Sequence, residues 1–89
     1  MLDIEQLPIP AQVLLAKQKS EMVRIWIADG DQIVVLSPRM WDDPGAWGLM
    51  LVDLARHVAN NYEMKGRSAP DVLAKIKSAM EAEWAHPTN

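Results

Sequence analysis

The chain has 89 residues, 49% of them apolar and 24% charged, with four glycines and six prolines, a balance that excludes collagen-like, low-complexity and disordered chains and predicts a single domain over 1–89. Nine basic against twelve acidic residues leave a net charge of −3, the wrong sign for neutralising many phosphates, so no nucleic-acid partner is expected. Without cysteine there is no disulfide, thiolate nucleophile or thiolate metal site. The start lacks a basic stretch followed by an apolar one, and no apolar run approaches the roughly 20 residues that cross a bilayer. The expectation is a cytoplasmic protein with no membrane partner.

Two prolines within residues 1–10 restrict backbone torsions and remove amide donors, predicting an irregular N-terminal arm. Pro10 then suits the first position of a short helix. Ala11 to Lys19 are good helix formers, though the run is too short to persist without packing. Met22 to Ala28 and Gln32 to Ser37 are rich in β-branched residues and flank Asp29-Gly30-Asp31, which reads as a β-hairpin whose loop is ambiguous by one residue. Side chains alternate along a strand, so Val23, Ile25 and Ile27 share one face and Met22, Arg24, Trp26 and Ala28 the other. Both faces are partly apolar, and such a ribbon needs cover.

Asp43-Pro44 signals a helix start, with the Asp43 carboxylate accepting first-turn amides and proline losing nothing at the first helical position. At 100° per residue, Trp47, Met50, Leu51, Leu54, Ala55, Val58 and Tyr62 form one apolar arc, widened by Val52 and Ala59, and are expected to face the core. Leu49 projects to the polar side. Gly66 is placed as a left-handed helix stop, and Ser68 with Asp71 has the form of a capping box opening a third helix over Pro70 to Trp84. On that helix Val72, Leu73, Ile76, Ala79, Met80 and Trp84 make the apolar arc. Glu83 projects into its middle, and should either pair with Arg56, Lys77 or His57 or lie off the packed face.

Few residues can carry chemistry. Asp53 and His57 are four apart on the long helix, close enough for a carboxylate to orient an imidazole, but a boundary histidine beside a surface acid is the plainer reading. No serine or threonine pattern completes a nucleophilic site, and two ligands leave a zinc site short of a third. Asp29-Gly30-Asp31 lacks the further ligands of a calcium loop, and Asp42 and Asp43 oppose anion binding at the helix start. Neither metal nor cofactor is expected. Four tryptophans, one tyrosine and no phenylalanine suggest half-buried rings, in the core or at an interface. Arg24, Trp26, Trp41 and Leu49 are the candidate interaction surface, with an Arg24–Trp26 stack as one element; Asp53, Arg56, His57 and Glu83 are the candidate polar cluster.

The strings Arg24-Ile25-Trp26-Ile27-Ala28, Trp41-Asp42-Asp43-Pro44-Gly45-Ala46-Trp47-Gly48, Asp53-Leu54-Ala55-Arg56-His57-Val58-Ala59 and Glu83-Trp84-Ala85 resemble a family of small bacterial proteins described as a domain of unknown function. The resemblance implies a stand-alone bacterial α+β domain and assigns no residue a role. The fold expected is α+β in the order α-β-β-α-α, a β-hairpin packed on a long central helix and a C-terminal helix. The function expected is a protein-interaction or regulatory module that self-associates as a homodimer. The alternative is a small-ligand binder or minor enzyme using His57 and Asp53.

Overall fold

A computed structural model of the protein describes residues 6–88. The architecture is α+β with the expected order: α1 (Ala11–Leu15), β1 (Val23–Ala28), β2 (Asp31–Leu36), α2 (Gly45–Glu63) and α3 (Ala69–Ala85). Two compact units make up the chain, Met1–Met40 and Trp41–Asn89. Among the described residues, no helix is long and apolar enough to cross a membrane.

In the first unit, residues 6–10 are without regular structure; residues 1–5 of the expected arm lie outside the described residues. α1 is shorter than its helix-forming run. It is one turn after Pro10, whose carbonyl accepts from the amides of Val13 and Leu14, and the chain turns extended at Ala16. Lys19 Nζ donates to the Leu14 carbonyl at 2.9 Å, using an acceptor that a longer helix would have bonded internally. The strands are antiparallel, with Val23 opposite Leu36, Ile25 opposite Val34, Trp26 opposite Ile33 and Ala28 opposite Asp31. This register leaves a two-residue turn. Asp29 and Gly30 both have positive φ, 52° and 82°, the pairing that matches the right-handed twist of the strands, so Asp31 belongs to β2 rather than to the loop. Both sheet faces keep aliphatic side chains in water: Ile25, Ile27, Ile33, Val34 and Val35 are all exposed.

The second unit is a helical hairpin whose ends are fixed by the predicted devices. Asp43 Oδ1 accepts from the Gly45 amide at 2.9 Å and the Asp43 carbonyl accepts from Ala46, with Pro44 already in helical geometry. At the other end Gly66 has φ 88°; its amide donates to the Glu63 carbonyl and that of Arg67 to the Tyr62 carbonyl, the paired bonds that close a helix through a left-handed residue. Ser68 Oγ accepts from the Asp71 amide at 3.4 Å and opens α3, with Pro70 in its first turn.

α3 covers only part of the apolar arc of α2. Ala59 (2% exposed) and Val72 (6%) are the buried apolar side chains among the described residues, so the helix–helix seam runs along the Ala55–Ala59 side of α2. The centre of the expected core face lies elsewhere. Leu51, Leu54 and Val58 remain 44%, 48% and 37% exposed. Widened by Val52 and Ala59, the arc spans just over half the circumference at 100° per residue, and a single packed helix cannot reach all of it.

Candidate functional site

The four residues expected to form an interaction surface fall in different settings. Arg24 does not stack on Trp26; its Nε donates to Glu21 Oε1 at 2.6 Å, an exposed pair three residues apart. Trp26 is half-buried opposite Ile33. Trp41 meets Trp47 edge to face, ring centroids 5.0 Å apart and planes at 66°, so the two rings flanking the Asp-Asp-Pro start of α2 buttress that start. Leu49 is exposed on α2, as its place on the polar side predicts. The cation–π contacts found are at Tyr62, where Arg67 lies 5.1 Å and Lys65 5.9 Å from the ring centroid. Sequence reasoning missed these. The signal was the helix stop itself, which turns the residues flanking Gly66 back over the last turn.

The polar residues do not converge. His57 Nε2 and Asp53 Oδ2 are 3.3 Å apart, as their spacing predicts, but both side chains stand in water at 73% and 71% exposure. Glu83 pairs with none of Arg56, Lys77 and His57. Its carboxylate accepts from the Thr88 amide at 2.6 Å and from Thr88 Oγ1 at 2.9 Å, tying the C-terminal tail back onto the last turn of α3. Glu83 therefore lies off the packed face, the second of its two expected outcomes. Among the described residues, no group of three His, Asp or Glu side chains is placed to hold a metal ion.

Each unit also carries a concave surface lined largely by apolar side chains. In the first unit, Leu7 and Ile9 of the arm share a shallow pocket of about 290 Å³ with Val23 to Trp26 of β1. In the second, a groove of about 410 Å³ lies between α2 and α3, lined by Val52 and Ala55 on one helix and Leu73, Ile76, Met80 and Trp84 on the other. Arg56 of α2 and Lys77 and Glu81 of α3 also line this groove.

These features define a small α+β protein that contains a two-stranded hairpin in one unit and a helical hairpin in the other, with much exposed apolar surface. Residues 6–88 match the family described as Domain of unknown function (DUF5076), and the chain belongs to that family. It is also similar to a solved structure from the photosynthetic bacterium Rhodopseudomonas palustrus, described there as a "putative pyruvate dehydrogenase": the two are 33% identical with a TM-score of 0.79, over 100% of this chain and 92% of that one. No curated protein matches the chain.

Proposed function

We propose that the chain is a protein-interaction or regulatory module, acting as one domain, that associates with a second copy of itself. The observation that carries this reading is the exposed row Leu51, Leu54 and Val58 on α2. Their spacing of three and then four residues is the seam of paired helices, and a continuous apolar strip in water favours association. A second copy offers the same row to itself about a two-fold axis. The hairpin edges, with Trp26 and Arg24 nearby, are a further contact surface in this reading. A bacterial cytoplasm is the setting we favour, supported by the bacterial source of the structural neighbour and by an acidic, cysteine-free composition.

The test is the solution mass by light scattering behind size exclusion over at least a tenfold concentration range. A dimer is expected, with Leu54→Asp shifting it to monomer. A strict monomer at every concentration would overturn the proposal. A second reading takes His57 and Asp53 as a proton-transfer pair in a small-ligand site, favoured by their 3.3 Å approach. The pair's exposure on an open helix face supports association better than catalysis, because a working acid–base pair is normally held in a cleft.

A further inference from the structure

We propose that the groove between α2 and α3 binds a single-chain amphiphile with an anionic head, a medium-chain alkyl carboxylate. The proposal does not rest on self-association: Val52 and Arg56 lie on the opposite side of α2 from Leu54 at 100° per residue. At about 410 Å³ the groove is within the range of roughly 300–1,000 Å³ in which small molecules are held. Val52, Ile76 and Met80 wall it, and Trp84, 85% exposed, stands at it with an indole that neither α2 nor α3 covers. An alkyl chain laid along this wall removes that surface from water.

The head is assigned by charge. Arg56 from α2 and Lys77 from α3 both border the groove, on a chain whose net charge is −3, and neither makes an ion pair among the described residues. Two cations from two helices can share one carboxylate, Arg56 as a fork and Lys77 as a point charge. Glu81 is one turn beyond Lys77 on α3, toward Trp84, so the anionic head belongs at the Arg56–Lys77 level and the uncharged chain passes Glu81.

The experiment is a titration of the full chain with octanoate, decanoate and laurate below their micellar concentrations, followed by calorimetry and by tryptophan emission. One carboxylate per chain is expected, with affinity rising roughly three- to fourfold per added methylene. Arg56→Gln and Lys77→Gln should each weaken laurate about tenfold while leaving dodecanol unchanged. Trp84→Phe should remove the emission change, and Leu54→Asp should leave laurate binding intact even if it makes a monomer. Circular dichroism checks that each variant is folded, and Lys77→Gln, a change at an exposed position, supplies the head-group comparison if Arg56→Gln unfolds. Dodecyltrimethylammonium binding as tightly as laurate, uptake only onto phosphatidylglycerol vesicles, or no saturable binding would each overturn the proposal.

Discussion

Gly66 shows how a single backbone angle fixes a boundary. With φ at 88° and open space where a Cβ would stand, the cost of a side chain there is conformational alone. Gly66→Ala should lower stability by about 1 kcal/mol, read as a shifted urea midpoint with an unchanged slope. Glu83 makes the contrary case. An acid on the apolar side of α3 would be costly if buried, but its carboxylate is exposed and held by Thr88, so Glu83→Gln should change stability by less than about 0.5 kcal/mol. A larger loss in urea unfolding would show that Glu83 does more than tie down the tail. The His57–Asp53 contact, open to water on both side chains, is of the exposed kind that adds little to stability.

At the scale of the elements, the clearest forecasts concern caps and seams. Ser68→Ala should cost about 0.5–1 kcal/mol, toward the lower end for an N-cap because the bond to Asp71 is long at 3.4 Å. Ala59→Leu should cost about 1–3 kcal/mol, since a small, fully packed side chain sets how closely α3 approaches. Both are measurable by denaturant unfolding. The hairpin, the Asp43-Pro44 start, the Gly66 stop and the Ser68 cap were legible because each rests on one or two residues with a local mechanism. The side of α2 that packs was not, because periodicity reports which positions are apolar and not which neighbour takes each of them. The turn length stayed ambiguous for a similar reason: Asp29-Gly30 and Gly30-Asp31 are both acceptable turns, and only the register decides. Arg24 was legible as a strand residue facing with Trp26, yet Glu21 three residues upstream captured its charge.

At the scale of the whole molecule, the acidic balance, the aromatic choice and the unequal sharing of apolar surface were visible in composition, whereas the groove was not. It needs Val52 and Met80, distant in sequence, on facing helices, and no spacing rule joins them. The same applies to Arg56 and Lys77, which read separately as solvated charges. The shallow interior also has a consequence for heat. Because Ala59 and Val72 are the apolar side chains fully buried among the described residues, much hydrocarbon surface stays in contact with water in the single chain. For a self-associating chain, mass action then makes the melting temperature a property of the solution: it should climb as protein is added and fall on dilution.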